Sequence, residues 1–125
     1  MARILLAEDE MLLRELACED LADAGFEVIA ANNGEEALAI LAQDREFDLL
    51  FTDIRMPGAV DGWQLAKEAK GLVPGLRVIY STGLGDSEQQ LEPEDRLLQK
   101  PYALSDLLRH MNDLLLLAGP TGSAQ

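Results

Sequence analysis

Leu49-Leu50-Phe51-Thr52-Asp53-Ile54-Arg55-Met56-Pro57-Gly58 is a short apolar run that stops at a carboxylate. Its length and composition are those of a buried strand. Met56-Pro57-Gly58 then ends the strand and starts a loop, because proline has no N–H to give a ladder and glycine favours a turn. Asp53 therefore falls at the C-terminal end of a buried strand. Open parallel α/β sheets place their ligand sites there. The plainer reading is that Asp53 only caps the loop. The chain on either side decides between the two.

On the N-terminal side, Arg3 to Ala7 reads as a strand that runs into three acids, Glu8, Asp9 and Glu10. From Met11 to Ala24, Leu13, Leu16, Ala17, Leu21 and Ala24 recur at helical spacing, and Gly25 is a stop. Phe26 to Ala31 is the next strand. Asn33 with Glu36 opens a helix to about Gln43 in the manner of a capping box, with Ala37, Leu38 and Leu41 inward. Phe47 to Thr52 is the quoted strand. On the C-terminal side, Asp61 caps a helix from about Gly62 to Lys70. Pro74-Gly75 is a turn, and Arg77 to Ser81 is a strand followed by Thr82-Gly83. Gly85 to Glu94 is polar and holds at most a short helix. Arg96 to Gln99 is a short strand followed by Lys100-Pro101. Ser105 caps a last helix with Leu107, Leu108, Met111, Leu114 and Leu115 along one face. Ala118 to Gln125 is small and polar, a frayed tail.

Strands alternate with helices throughout. That predicts an α/β fold, a five-stranded parallel sheet covered by helices on both faces. The 125 residues suit one domain, residues 1–117, with a flexible tail at 118–125. With 48% hydrophobic residues a packed core is expected. The formal net charge of −13 argues against nucleic-acid binding and against an anionic membrane surface. No signal peptide or membrane span is visible, so the cytoplasm is the expected location. Cys18 and His110 are the only residues of their kinds, so neither a disulfide nor a zinc site is expected.

In a parallel sheet the strand C-termini share one edge. Four of the five strands end there in a group capable of chemistry: Glu8 and Asp9, Asp53, Thr82 and Lys100. Three carboxylates held together repel one another unless a cation joins them. Hard oxygen ligands suit Mg²⁺, which keeps waters and leaves room for a phosphoryl group. Asp53 is then a candidate nucleophile toward phosphorus, with the cation, the Thr82 hydroxyl and the Lys100 ammonium sharing the charge of the transferred group. Pro101 fixes the chain beside the lysine, a position that suits a cis bond. Each residue has a plainer role when taken alone. The acids favour a helix dipole, Thr82 bonds backbone and Lys100 is a solvated surface charge. Their shared position at one end of four different strands is what the plainer roles leave unexplained.

With these motifs in place the sequence resembles the receiver domain of two-component response regulators, over residues 3 to about 117. Ile4-Leu5-Leu6-Ala7-Glu8-Asp9-Glu10 is similar to the family's first strand and acidic pair. Asp53-Ile54-Arg55-Met56-Pro57-Gly58 is similar to its phosphoacceptor loop. Ile79-Tyr80-Ser81-Thr82-Gly83 and Gln99-Lys100-Pro101-Tyr102 are similar to its switch-threonine strand and lysine–proline turn. The resemblance implies a flavodoxin-like sheet of order 2-1-3-4-5. It implies that Asp53 takes a phosphoryl group from a histidine kinase or a histidine phosphotransfer protein. Glu8, Asp9, Asp53 and the backbone carbonyl of Arg55 would hold Mg²⁺, while Thr82 and Lys100 would contact the phosphoryl group. Output would pass through protein contacts with a downstream partner, from a stand-alone module that catalyses only its own phosphorylation and dephosphorylation.

Three departures from the family pattern stand out. Leu97 occupies the place of an aromatic, which removes the usual threonine–aromatic readout. The stretch from Thr82 to Lys100 is short and polar, so the fourth helix is expected to be short or irregular. Gly58-Ala59-Val60-Asp61-Gly62 is about one residue longer than the usual loop. The apolar run Leu114-Leu115-Leu116-Leu117 has two readings, helix-end packing or a homodimer face. Two other functions are weighed. A binding module that keeps only the fold would show no Mg²⁺ response. An Mg²⁺-dependent aspartyl-phosphate phosphatase would want a carboxylate two residues after the nucleophile, where this chain has Arg55.

Overall fold

The computed structural model describes residues 1–83 and 91–118. Five strands form one parallel sheet: β1 (Arg3–Ala7), β2 (Glu27–Ala31), β3 (Leu49–Asp53), β4 (Arg77–Thr82) and β5 (Arg96–Gln99). Their spatial order is β2-β1-β3-β4-β5, as the resemblance implies. The helices among the described residues are α1 (Met11–Asp23), α2 (Gly34–Gln43), α3 (Gly62–Leu72) and α4 (Leu104–Ala118).

Strand periodicity divides the core in two. Leu5, Ala7, Leu50, Val78 and Tyr80 face α2 and α3. Ile4, Leu6, Leu49, Phe51, Ile79 and Leu98 face α1 and α4. β3 lies at the centre of the sheet and is buried along its whole length, which is why its sequence is a continuous apolar run rather than an alternating one. The register aligns the strand ends. Ala7 pairs with Thr52, Asp53 with Ser81, and Thr82 with Gln99. The residues that close these strands therefore come out along one edge.

Helix ends follow the expected chemistry in α2 and α3. The Asn33 side chain accepts the Glu36 N–H at 2.7 Å, and Asp61 accepts the Gln64 N–H at 2.9 Å. Glu36 reaches back to the N–H of Asn32, completing a capping box shifted by one residue. Gly25, at φ +99°, ends α1 in the left-handed region.

Three expectations are corrected. β3 begins at Leu49 rather than Phe47, and just before it the Asp48 carboxylate takes the Arg3 N–H at 2.8 Å. Phe47 instead packs beneath the Arg3 guanidinium, 4.6 Å from its ring centroid. Ser105 does not cap the last helix. α4 starts at Leu104, and the Ala103 carbonyl accepts the N–H groups of Asp106 and Leu107. In α1 the core contact is made by Ala17 and Leu21, while Leu13 and Leu16 are 37% and 50% exposed. The short or irregular helix expected after Thr82 falls largely on residues 84–90, outside the described residues. So does the tail beyond Ala118.

Candidate functional site

The site is built where β1, β3 and β5 end. β1 delivers Glu8 and Asp9 on the turn into α1. β3 delivers Asp53 as its own last residue. β5 delivers Lys100, whose N–H donates to the Thr82 carbonyl at 2.7 Å, so that β4 fixes where the lysine starts. The Lys100-Pro101 peptide is cis. Glycine allows a close approach on the far side. A Cβ at Gly62 would meet the Asp53 carbonyl oxygen at 2.2 Å, so α3 begins hard against the end of β3. The Gly62 N–H donates to the Ile54 carbonyl at 2.7 Å and closes the base of the loop between them.

Oxygen atoms of Glu8, Asp9 and Asp53 lie within 4.8 Å of one another. Glu8 is 6% exposed and Asp53 8%, so neither charge is fully solvated. Lys100 Nζ sits 2.9 Å from Asp53 Oδ2 and 3.2 Å from Glu8 Oε1. The Glu8 Oε2 accepts the Glu10 N–H at 3.1 Å. On the other side of the same turn, Arg14 of α1 donates to the Glu8 carbonyl at 3.0 Å and holds the acidic turn against the helix.

These contacts move two titrations. Burial pushes the Glu8 carboxyl above the ordinary glutamate range, against the opposing pull of the Glu10 N–H and of Lys100. Burial alone would lower Lys100. The hydrogen bond to Asp53 and the charges of Glu8 and Asp53 outweigh it, and the ammonium is held above its ordinary value. Three carboxylates and one ammonium leave two negative charges when all are ionised. A divalent cation with hard oxygen preference matches that deficit in both sign and size.

Of the residues singled out from sequence, Glu8, Asp9, Asp53 and Lys100 are brought together here. Thr82 closes β4 at the same edge and is 5% exposed. Arg55 lies two residues beyond Asp53 on the exposed loop. Leu97 packs into the core on the α3 side of the sheet.

Sequence reasoning missed the surface beside the site. Met11, Leu12 and Leu16 of α1 are 61%, 67% and 50% exposed. A cavity of about 470 Å³ runs from Leu13 and Leu16 past Tyr102 and Leu104 to Glu8 and Lys100. Helical spacing alone marks such a stripe as core. The signal that separates it is the excess of leucine over what Ala17 and Leu21 need to cover the sheet. It missed a second cation–carboxylate contact as well. Lys70 Nζ lies 2.8 Å from Oδ2 of Asp95, which is 3% exposed, and so ties α3 to the start of β5.

Among the described residues no helix is long and apolar enough to cross a membrane. The profile of the response regulator receiver domain matches residues 4–112. The chain is 35% identical over 122 residues to the response regulator receiver protein CpdR of Brucella abortus, covering 94% of this chain and 100% of that one. It spans about half the length of several longer response or transcriptional regulators that it also matches. A response regulator receiver protein from Sinorhizobium medicae superposes with a TM-score of 0.89 at 32% identity, over 94% of this chain and 97% of that one. The response regulator TrrA of Thermotoga maritima, solved in complex with Mg²⁺-BeF, superposes at 0.78 with 31% identity, over 91% and 99%.

Proposed function

This chain belongs to the response regulator receiver family, and we propose that it is switched by phosphorylation of Asp53, using the phosphohistidine of a histidine kinase or phosphotransfer protein as donor. The observation that supports this above all is the convergence of Asp53, Glu8, Asp9 and Lys100 on one edge of the sheet. A fold-only binding module has no need to bury Glu8 and Asp53 beside one another at the cost of their mutual repulsion.

The Asp53 carboxylate attacks phosphorus, the phosphorus–nitrogen bond breaks, and the donor imidazole leaves as the acyl phosphate forms on Asp53. Asp53 reaches the attack position because β3 ends at it and Gly62 presses the following backbone into place. Lys100 is already within hydrogen-bond distance of an Asp53 oxygen, so it can follow the charge as it passes to the phosphoryl oxygens. Glu8, Asp9, Asp53 and the Arg55 carbonyl would hold Mg²⁺, which when bound supplies positive charge to the phosphoryl oxygens. That TrrA, a relative of the same fold, takes Mg²⁺ with a beryllofluoride supports the assignment. The Thr82 hydroxyl would bind the phosphoryl group from the next strand. Arg55 offers no carboxylate for hydrolysing a free phosphate ester, so the chemistry stays on Asp53 itself.

The donor must bring its histidine to the rim between α1 and the β5–α4 turn, and the exposed leucines of α1 give it an apolar surface there. A cytoplasmic location is part of this reading. Output passes to a downstream protein, with Leu97 leaving the readout to groups other than an aromatic at that position. On the last helix Leu116 is 77% exposed beside buried Leu114, which supports a homodimer face. Sedimentation with and without a phosphoryl mimic tests that part separately.

The decisive experiment is intact mass after incubation with acetyl phosphate and Mg²⁺, wild type beside Asp53→Asn. A phosphoryl adduct on the wild type alone, lost in hydroxylamine, is the expected result. Absence of an adduct with both acetyl phosphate and a panel of phosphorylated histidine donors would overturn the reading.

A further inference from the structure

The loop from Ile54 to Asp61 carries the backbone on which the cation reading depends. It is held at three places. Its base is closed by the Gly62 N–H on the Ile54 carbonyl at 2.7 Å. Its apolar side chains, Met56 and Val60, pack into the core beside α2 and α3. Its outer turn is tied to α2, because Glu35 Oε2 accepts the Ala59 N–H at 2.8 Å, across 24 residues of sequence.

The surroundings of that last bond are shaped for it. A Cβ on Gly34 would meet the Val60 Cγ1 and carbonyl oxygen at 2.6 Å, so only glycine lets the loop come this close to the first turn of α2. Gly58 sits at φ +97°, and a Cβ there would meet Glu35 Oε2 at 2.6 Å. Two glycines thus bracket one carboxylate against one backbone N–H. Glu35 also stands in the first turn of α2, where the helix end favours its negative charge.

We propose that Glu35 is a positioning residue for the phosphoacceptor site, acting through the Ala59 N–H to fix the loop that presents the Arg55 carbonyl to the cation. This rests on the reading of Asp53 as a Mg²⁺-dependent phosphoacceptor. Arg55 to Gly58 lie between two fixed points, the Ile54–Gly62 bond and the Glu35–Ala59 bond. Releasing the second removes the tie at the outer turn and leaves the segment to its base and to the packing of Met56, with Gly58 adding backbone freedom. Partners that orient metal ligands without touching the metal characteristically change affinity for it.

The test is Mg²⁺ titration by calorimetry of wild type, Glu35→Ala and Glu35→Gln, with the rate of acyl-phosphate formation from acetyl phosphate followed by intact mass. Glutamine keeps the acceptor oxygen and loses the charge. Glu35→Ala should weaken Mg²⁺ by about fivefold and slow phosphorylation at low Mg²⁺, with the rate restored at saturating Mg²⁺. Glu35→Gln should stay within about twofold of wild type on both readouts. Should Glu35→Ala fail to fold, Gly58→Ala displaces the carboxylate while leaving it in the chain, and should show the same loss of Mg²⁺ affinity. Unchanged affinity in Glu35→Ala, or in Gly58→Ala where that variant stands in for it, overturns the proposal, as does a Glu35→Gln as weak as the alanine variant. A wild type that neither binds Mg²⁺ nor takes a phosphoryl group refutes the phosphoacceptor reading itself, and the role of Glu35 with it.

Discussion

The Lys100 ammonium lies 2.9 Å from the Asp53 carboxylate, across 47 residues of sequence, and reaches Glu8 from the same position. One cation thus holds two largely buried anions from two other strands. Lys100→Ala should lower stability in Mg²⁺-free buffer by about 1–3 kcal/mol, because it leaves both carboxylates without their counter-charge. On the proposed reading Mg²⁺ neutralises the same carboxylates, so the deficit should shrink as Mg²⁺ is added, and the affinity for Mg²⁺ should persist. Urea melts at several Mg²⁺ concentrations read both effects. A deficit that stays constant across the titration would mean that Lys100 stabilises the fold by packing alone.

Asp53→Asn removes one of three clustered negative charges and leaves Lys100 on Glu8. The Mg²⁺-free protein should be at least as stable as wild type, since repulsion is relieved. The clearer signature is its response to the cation. At a hundred times the dissociation constant, Mg²⁺ stabilises a protein that binds it only when folded by about 2.7 kcal/mol. Wild type should show that gain in urea melts, and Asp53→Asn should lose most of it.

The pH dependence has a defined direction. Burial, acting first, holds the Glu8 carboxyl above its ordinary range, and Asp95 is held up for the same reason despite Lys70. The folded protein therefore keeps these protons at a pH where the unfolded chain has released them. The stability they contribute is present below the unfolded values, near 4, and is lost as pH rises through the raised folded values. Asp44 and Glu94 are shifted downward, chiefly by backbone N–H groups, and act in the opposite sense at lower pH. With Glu8 as a proposed ligand, Mg²⁺ affinity should fall as pH drops through the raised range, and binding should release protons. Calorimetric titrations in buffers of different ionisation enthalpy measure that release. Glu8→Gln should abolish the Glu8 part of it.

The parts of this fold that were legible in the sequence are those where local pattern and final environment coincide. β3 reads as buried because Leu49-Leu50-Phe51 is a continuous apolar run, and the caps at Asn33 and Asp61 are set by residues three positions apart. Lys100 could be placed at the same sheet edge as Asp53 from parallel topology alone, since the strand C-termini share that edge. Ser105 misled because a hydroxyl near a helix start looks like a cap whether or not the helix has already begun. The α1 leucines misled because a helical stripe records period, not which arc of the helix the sheet covers. The Glu35–Ala59 and Lys70–Asp95 contacts join residues 24 and 25 positions apart through loop geometry. No local propensity encodes such a meeting.

The exposed face of α1 yields the prediction that separates chemistry from recognition. Leu12 and Leu16 are 67% and 50% exposed, so replacing both by serine should change stability by only about 0.5 kcal/mol each or less. Neither supplies a group to the chemistry at Asp53, so phosphorylation by acetyl phosphate should proceed at the wild-type rate. On the proposed reading a protein donor seats against this face, and truncating apolar anchors at such a surface characteristically costs affinity. Transfer from a phosphorylated histidine protein should therefore slow by about tenfold or more at limiting donor, with the effect lost as donor approaches saturation. Equal slowing with both donors would place the defect in the site instead. Unchanged transfer from a cognate protein donor would show that the donor binds elsewhere on the rim.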